Sequence, residues 1–301
     1  MTLEPQVVLN VRDIQMINLE MLDAFDAFCR KHGLPYCLCG GTLLGAVRHK
    51  GFIPWDDDLD VFMARPDYER LIEVCKSEPI AEGMTFACPQ NGGFMRPFAR
   101  VYFNCTSVWR RSFNEDSGNH VWMDILPVDG LPPESDKWEK LYFKRKMMDH
   151  FNMMTMWKIG KFARKLDYVK KPLYFLIGCG FRGRRGGARH WCGKLEAFSK
   201  RYPFQTSRYV ACISGGRYGA GEAMLREDYL KPATVEFEGR QLPAMGCWRE
   251  YLTGIFGDYM TLPPEGKRYP HLDTVRMGLE DYRALTERHP ELKGHHPEAG
   301  L

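Results

Sequence analysis

Four aspartates lie within five residues, at Asp56, Asp57, Asp58 and Asp60, and an apolar segment follows them directly. Alternate residues of a strand point to the same side, so we predict that Asp58 and Asp60 share one face. Two carboxylates held this close repel each other unless a cation lies between them. Oxygen ligands of this kind suit Mg²⁺ or Mn²⁺ that bridges substrate phosphates. A solvated acidic turn is the alternative interpretation, but such a turn has no reason to lead into an apolar strand.

A pair of glycines, Gly40 and Gly41, precedes the aspartates and is followed by Thr42 at the start of a short apolar segment. Glycines let the backbone approach a phosphate closely, and the start of a helix offers free N–H groups and a positive dipole end. Alone, such a pair is typical of a turn. Followed by the aspartate pair, it predicts the layout of a nucleotidyltransferase-type site, with glycines for the phosphates and carboxylates for a metal.

A third carboxylate is expected from a neighbouring strand, and Asp124 is the best candidate because it is a lone acid in the apolar segment 121–126. A buried isolated carboxylate is costly unless it is paired or bound to a metal. We therefore predict Asp58, Asp60 and Asp124 as metal ligands and catalytic residues. Asp124 would complete the metal site or accept the proton of an attacking hydroxyl. Asp129, in a Val-Asp-Gly sequence, is interpreted as a turn residue.

Four cations flank these motifs and are candidate phosphate ligands, namely Arg48, Lys50, Arg96 and Arg100. Arg48 is the preferred candidate because it lies between the glycines and the aspartates. For each of the four, an ordinary surface cation is the competing interpretation. Arg96 and Arg100 flank the start of a predicted strand, so we expect one of them to face solvent.

The spacing of apolar residues predicts the elements that must position these side chains. The run 11–32 has helical spacing and is followed by Gly33, which favours a helix end. Strands are predicted at 36–39, 59–63, 85–87, 98–103, 106–110 and 121–126. Helices are predicted at 11–32, 42–48, 67–77, 135–156 and around 248–256.

Composition excludes several classes of protein. The chain has 301 residues, 44% of them apolar and 27% charged, which indicates a globular chain with a sizeable core rather than a disordered polymer. Ten cysteines are scattered without a C-x-x-C pair or zinc-finger spacing, which favours reduced core thiols in the cytosol. No signal peptide and no apolar run of about 18 residues is recognised. We therefore expect a cytoplasmic protein, at most peripheral on the inner face of a membrane.

The stretch from Gly40 to Asp60 closely resembles the LicD family, whose eukaryotic relatives include fukutin and fukutin-related protein. Segments 98–101, 123–130 and 251–264 resemble the same family, so the likeness covers most of residues 15–272. It implies an α+β, nucleotidyltransferase-like fold with a mixed sheet flanked by helices. Asp58 and Asp60 match the metal-binding pair of the family, and Asp124 matches the third acid. The zinc-binding cysteines of some eukaryotic relatives have no counterpart here.

The resemblance also implies a reaction, the transfer of a phosphorylated alcohol from a CDP-linked donor to a hydroxyl of a cell-surface glycan or glycolipid such as lipopolysaccharide or teichoic acid. For bacterial members the donor is typically CDP-choline, and CMP is released. A choline head needs aromatic rings, because a quaternary ammonium cannot donate hydrogen bonds. Trp55, Trp109, Trp122, Tyr102 and Tyr218 are available, and Trp122 is favoured because it shares a strand face with Asp124.

Two alternatives stay open at this point. The first keeps the fold but uses CDP-ribitol, CDP-glycerol or another nucleotide donor, and a missing aromatic site near the metal would favour it. The second is a non-catalytic module that binds polyanions through its basic segment. Nucleic acid is a weaker candidate, because the basic segment lacks the interleaved aromatic residues of a stacking groove.

The basic segment, residues 158–201, contains thirteen lysines and arginines opposed only by Asp167 and Glu196, so it carries about +11 in a chain of net charge +4. It also contains an apolar run at 172–181 that is too short to span a bilayer. Basic flanks around such a run predict a helical insertion that lies on an anionic membrane face. The alternative is a solvated basic loop whose apolar part packs into the core. We accordingly divide the chain into a catalytic core at 1–157, this insertion at 158–201, and a part at 202–301 that completes the catalytic domain.

Overall fold

The computed structural model describes residues 5–110, 115–156, 187–272 and 274–297, which form a mixed β-sheet flanked by helices. The strands are β1 Gln6–Leu9, β2 Cys37–Leu38, β3 Asp60–Ala64, β4 Met84–Ala87, β5 Ala99–Arg110, β6 Glu115–Gly130, β7 Tyr209–Ala211, β8 Met224–Leu225, β9 Pro232–Phe237, β10 Arg240–Met245 and β11 Thr274–Gly278. The helices are α1 Val11–His32, α2 Gly40–His49, α3 Arg65–Val74, α4 Trp138–Met156, α5 Gly187–Ser199, α6 Arg226–Leu230, α7 Trp248–Phe256 and α8 Leu279–Arg288.

The sheet has the strand order β1-β11-β5-β6-β3-β2. Its central pair, β3 and β6, is parallel, whereas the other neighbours along this path are antiparallel. β4 pairs with β5, and β7 joins β6 to β8. β9 and β10 form a separate antiparallel hairpin. The predicted mixed sheet flanked by helices is confirmed, and strands β7 and β11 show that the last third of the chain contributes to it.

Helix α1 has the predicted bounds, 11–32, because both of its ends carry strong signals. The Asn10 side chain accepts from the backbone N–H of Asp13, and the Asp13 carboxylate accepts from the backbone N–H of Asn10, so the two form a capping box. Gly33 ends the helix with φ of 58°, a left-handed conformation that glycine adopts at little cost. The apolar face, which includes Leu22 and Phe25, is fully buried against the core.

Most other predicted elements are present with shifted ends. Helix α2 begins at Gly40, so the glycine pair forms the first helical turn and not a loop before it. Strand β3 begins at Asp60, which leaves Asp58 in the preceding loop. The two strands predicted at 98–103 and 106–110 are one long strand, β5, whose pairing with β6 shifts register after Phe103. Helix α7 has the predicted bounds, 248–256.

The C-terminal part of the basic segment belongs to the folded structure. Helix α5 packs against α4 and buries Trp191, Leu195 and Phe198. Just after it, Lys200 forms ion pairs with Glu69 and Glu196 at 2.7 and 2.8 Å. The rest of the predicted insertion, with its apolar run at 172–181, lies outside the described residues. Within the described residues, none of the helices has the length and apolar character needed to cross a membrane.

Candidate active site

A cleft of about 700 Å³ lies where β3 begins, and elements distant in sequence form its walls. The first turns of α2 and the loop 53–58 form one side. The loop 212–218, helix α7 and the loop 258–264 contribute the rest. Of the predicted site residues, the cleft brings together Gly40, Gly41, Arg48, Asp58, Asp60 and Asp124. Thr42, Lys50, Arg100 and Trp122 do not line it.

Strand register places three charged residues in a row across the sheet. Asp60 of β3 pairs with Asp124 of β6, and Asp124 pairs with Arg100 of β5. The Arg100 guanidinium donates to both oxygens of Asp124, at 2.6 Å from Nε and 2.9 Å from Nη2. The same guanidinium lies 4.1 Å from the centre of the Trp122 ring. Asp124 is therefore beside Asp60 as predicted, but Arg100 is an ion-pair partner of Asp124 and Trp122 is a support for Arg100.

The carboxylates of the cleft repel one another. Removal from water, followed by the charges of Asp124 and Asp56, raises the pKa of Asp60 to about 7. Removal from water, followed by the charges of Asp60 and Asp56, raises the pKa of Asp58 well above its usual range. The Asp60 carboxylate accepts no hydrogen bond from any residue that the structure describes. Charges clustered without donors are the condition under which a cation stabilises a site.

Within the described ranges, ligand atoms of Asp56, Asp58 and His271 lie within 4.8 Å of one another, an arrangement compatible with a divalent cation. His271 Nδ1 is 3.3 Å from Asp56 and 3.7 Å from Asp58. Its hydrogen bonds with Asp56 and Asp57 raise the pKa of His271 to about 11, so the imidazolium itself supplies positive charge to the cluster. The predicted metal ligands Asp60 and Asp124 lie in the same cleft, and their role as ligands stays a prediction.

Asp57 has a different environment from its neighbours. It is buried, and its two oxygens accept the backbone N–H groups of His271 and Leu272, both at 2.8 Å. In addition, Asn18 of α1 donates to the backbone carbonyl of Asp57 at 3.0 Å. Asp57 therefore fixes the acidic loop to the segment that carries His271.

The two glycines pack against the aspartates. A Cβ on Gly41 would lie 2.7 Å from an oxygen of Asp56, and a Cβ on Gly40 would lie 3.4 Å from an oxygen of Asp60. Gly40 has φ of 53° and donates its N–H to the Tyr251 hydroxyl at 3.2 Å. The Thr42 hydroxyl accepts the N–H of Asp60 at 2.9 Å. Gly40, Gly41 and Thr42 thus position the carboxylates of Asp56 and Asp60. That the glycines bind phosphate stays a prediction.

Comparisons with known proteins agree with this arrangement. A model of the LicD/FKTN/FKRP nucleotidyltransferase domain family matches residues 33–157, which contain the glycines and Asp56, Asp58, Asp60 and Asp124 of the cleft. The chain is 32% identical over 267 residues to the lipopolysaccharide cholinephosphotransferase LicD of Haemophilus influenzae, covering 87% of this chain and 96% of that protein. The chain belongs to the LicD family. An uncharacterised protein of Rickettsia prowazekii is also similar, with 38% identity over 104 residues, 34% of this chain and 35% of that protein. This LicD-family chain is an enzyme of the phosphotransferase class.

The cations of the LicD-family cleft differ in what they bind. Arg48 Nη1 donates to the carbonyl of Tyr259 at 2.9 Å. Arg96, which also lines the cleft, forms an ion pair with Asp149 at 3.3 Å. Lys50 is exposed outside the cleft and ends α2 in a left-handed conformation with φ of 60°. Arg48 is thus the predicted phosphate ligand that the structure places best.

Two of the aromatic candidates from the sequence line the LicD-family cleft, whereas the favoured Trp122 does not. Trp55 and Tyr218 lie in the wall, and Tyr218 packs edge-on against Phe256 with ring centres 5.2 Å apart. Trp109 and Tyr102 do not line the cleft. Trp109 instead supports Arg276, whose guanidinium is 5.4 Å from its ring.

Sequence reasoning missed three residues of the LicD-family cleft, namely His271, Arg217 and Glu222. His271 meets Asp56 only because the chain returns from more than 200 residues away, and no spacing signals that. Glu222 follows the Gly-rich stretch 215–219 closely, and an acidic residue in such a loop could have indicated a site residue.

Proposed function

We propose that this chain transfers phosphocholine from CDP-choline to a hydroxyl of a cell-surface glycan or glycolipid, such as lipopolysaccharide, and releases CMP. The observation that carries the proposal is the similarity, along nearly the whole chain, to a relative named as a lipopolysaccharide cholinephosphotransferase. The cleft supports it, because one cavity is lined by clustered carboxylates, aromatic side chains and arginines. We further propose that the fold is nucleotidyltransferase-like, since the matching family model describes such a domain.

Asp58 and Asp60 are proposed to hold Mg²⁺ or Mn²⁺, with Asp124 as the third acid and with Asp56 close enough to contribute. A divalent cation held by these residues would neutralise charge on the diphosphate and make the acceptor hydroxyl more acidic. The protein's own part is to fix the carboxylates, which Asp57, Thr42 and the glycines do. Arg100 holds the Asp124 carboxylate in one orientation beside Asp60.

The bond changes are those of an in-line phosphoryl transfer. The acceptor oxygen forms a bond to the phosphorus that carries choline, the bond from that phosphorus to the bridging oxygen breaks, and CMP leaves. The hydroxyl proton passes to a carboxylate of the cleft, for which Asp124 is our candidate. Of the predicted substrate-binding residues, Gly40, Gly41 and Arg48 line the cleft and stay in the proposal, whereas Thr42, Lys50, Arg100 and Trp122 do not line it.

The choline head is proposed to lie among Trp55, Tyr218 and Phe256, because ring faces attract a quaternary ammonium. One observation favours the second candidate function, the use of CDP-ribitol or CDP-glycerol. The Arg268 guanidinium lies 5.3 Å from the centre of the Trp55 ring and covers part of that surface. An alcohol that forms hydrogen bonds would have less need of the remaining aromatic area.

The test is to incubate the pure protein with magnesium, a glycan acceptor extract and a panel of CDP-alcohols, and to measure CMP release. We expect CDP-choline to give the fastest release. Faster release from CDP-ribitol or CDP-glycerol would show that the choline assignment is wrong while leaving the phosphotransferase assignment intact. Asp60→Asn serves as the control for release that does not depend on this cleft.

A further inference from the structure

The loop 215–218 is a closely packed wall of the cleft. A Cβ on Gly215 would lie 2.6 Å from the Leu126 side chain, next to Asp124 on β6. A Cβ on Gly216 would lie 2.2 Å from the carbonyl of Cys212 and 2.9 Å from Glu222. Contacts this short leave no room for a side chain at either position. The backbone that carries Arg217 is therefore held close to the carboxylate strands.

Glu222 holds the same loop from the other side. Its side chain is buried, with a relative exposure of 2%, and it lines the bottom of the cleft. One carboxylate oxygen accepts the backbone N–H of Tyr218 at 2.8 Å, and the backbone N–H of Arg217 also donates to this carboxylate. A buried carboxylate placed on two consecutive amides fixes the direction in which the side chains of that turn project.

Arg217 is the cation that this construction presents. Its side chain is exposed and lines the cleft, and its charge opposes the raised pKa of Asp60. The other arginines of the cleft wall already have partners, since Arg48 binds a carbonyl and Arg96 binds Asp149. Among the described residues, the Arg217 guanidinium has no hydrogen-bond or ion-pair partner, although the backbone N–H of Arg217 binds Glu222. A guanidinium held near the carboxylates without a partner is suited to an anion that arrives with the substrate.

We propose that Arg217 is a substrate-binding residue that contacts a phosphate of the nucleotide donor, and that Glu222 is the positioning residue that fixes its loop. This inference rests on the proposed function to the extent that a diphosphate enters the cleft. The chemistry recognised is that of a diphosphate group, whichever alcohol it carries.

Binding is measured by titration calorimetry at one magnesium concentration, with CDP-choline, inorganic pyrophosphate and cytidine as probes. The variants are Arg217→Ala, Arg217→Lys and, as a matched control, Arg249→Ala, an exposed arginine of α7 outside the cleft. Arg217→Ala is expected to weaken CDP-choline and pyrophosphate about 10- to 100-fold, the range for a lost charge-assisted hydrogen bond, and to leave cytidine unchanged. Arg217→Lys should recover part of the loss, and the control should match the wild type.

The positioning role is tested with Glu222→Ala and Glu222→Gln. Glutamine keeps an acceptor oxygen for the two amides, so it should retain pyrophosphate affinity, whereas alanine should lose as much as Arg217→Ala. If the alanine variant does not fold, Glu222→Asp, whose shorter side chain moves the acceptor, takes its place. A variant that melts earlier but binds pyrophosphate normally would overturn the positioning role.

The outcomes separate the two proposals. Unchanged pyrophosphate and CDP-choline affinity in Arg217→Ala overturns the role of Arg217. A wild-type chain that binds pyrophosphate but not CDP-choline overturns the proposed donor and leaves Arg217 standing if the alanine variant loses pyrophosphate. A wild-type chain that binds neither probe overturns both.

Discussion

Asp57, Asp58 and Asp60 are close in sequence but have different environments. Asp57 accepts two backbone N–H groups and is buried, so its charge is satisfied by the protein. Asp58 and Asp60 lie in the cleft, where removal from water and mutual repulsion raise the pKa of both. Asp57 and the two cleft carboxylates can therefore be neighbours in sequence, because Asp57 faces backbone amides and the other two face the cleft.

At this scale the first prediction concerns Asp58→Asn and Asp60→Asn. Each variant should fold, because asparagine removes a repelled charge, and each should lose roughly three orders of magnitude of CMP-release activity, as expected when a catalytic metal site is broken. Melting temperature without divalent cation should be equal to or above that of the wild type. Asp136→Asn, at an exposed position, is the control. Full activity of either cleft variant, both with and without a chelator, would contradict the proposed metal site.

The second prediction follows from Glu222, because burial raises its pKa to about 7 from a usual value of 4.5. Above about pH 4.5 the unfolded chain loses this proton while the folded chain keeps it to about pH 7, so stability falls as pH rises through this window. Glu222→Gln lacks this loss and should gain ~1–3 kcal/mol over the wild type between about pH 5 and about pH 8. Urea unfolding at both pH values measures the gain. Glu139→Gln, a change of an exposed glutamate, should show no such gain in stability. The prediction is contradicted if the free energy of unfolding changes with pH equally in all three proteins.

Sequence reasoning found the residues of the site that are adjacent in the chain. The alternation of Asp58, Leu59 and Asp60 before an apolar strand was enough to place two acids together. It missed His271, because its contact with Asp56 exists only after the chain has folded. It also assigned Trp122 to a ligand, since strand periodicity gives the face of a residue but not the Arg100 guanidinium that covers its ring.

Among the elements, the parallel pair β3–β6 determines the geometry of the cleft, since it sets Asp60 beside Asp124. One end of this pair is joined to α3 by a buried ion pair. Arg65, the first residue of α3, donates to both oxygens of Asp129 at 2.7 Å. Asp129 was interpreted as a turn residue, and this was wrong, because it lies within β6 and is almost fully buried.

The third prediction tests that link. Asp129→Ala leaves the Arg65 guanidinium buried without its partner, so it should destabilise the protein by ~3–5 kcal/mol. The double substitution Arg65→Met with Asp129→Leu removes both charges and should cost less than the single one. Guanidinium chloride unfolding measures both, and a single variant as stable as the wild type would show that the pair is dispensable.

Helices were easier to predict than strands for a physical reason. Helix α1 carries its own capping box and terminal glycine, and these are local in sequence. Strand β6 runs on to Gly130 because β3 and β7 pair with its end, and these partners are distant in the chain. The first turn of α2 was misplaced because glycine is a poor helix former, and the packing of Gly40 and Gly41 against Asp60 and Asp56 is not visible in the sequence.

At the scale of the whole molecule, the charge of the basic segment remains the feature with no assigned role. Its described end is folded, since α5 packs on α4 and Lys200 is paired with two glutamates. The lysines and arginines at 158–185 lie outside the described residues. That they hold the enzyme on an anionic membrane face, where lipid-linked acceptors are built, stays a prediction.

The fourth prediction is that vesicles containing anionic lipid sediment the protein at low salt and that rising salt weakens this binding. Each basic residue near such a surface contributes roughly 1 kcal/mol. Replacing Arg182, Arg184 and Arg185 by glutamine should therefore reduce binding, whereas replacing the exposed Lys231, Arg283 and Lys293 should not. If binding is absent at every salt concentration, or is unchanged by the first set of substitutions, the alternative interpretation of the segment as a solvated basic loop is favoured.

The position of β11 bears on how the protein is made. The acidic loop is synthesised early. The backbone N–H groups that donate to Asp57 belong to His271 and Leu272, which are synthesised more than 200 residues later. Strand β1 likewise has no sheet partner until β11 is synthesised, because β11 lies between β1 and β5 in the sheet. Until β11 and the residues just before it are present, β1 has no sheet partner and Asp57 lacks the two amides that bind its carboxylate. A chain that stops before His271 therefore lacks the amides that hold the acidic loop in place.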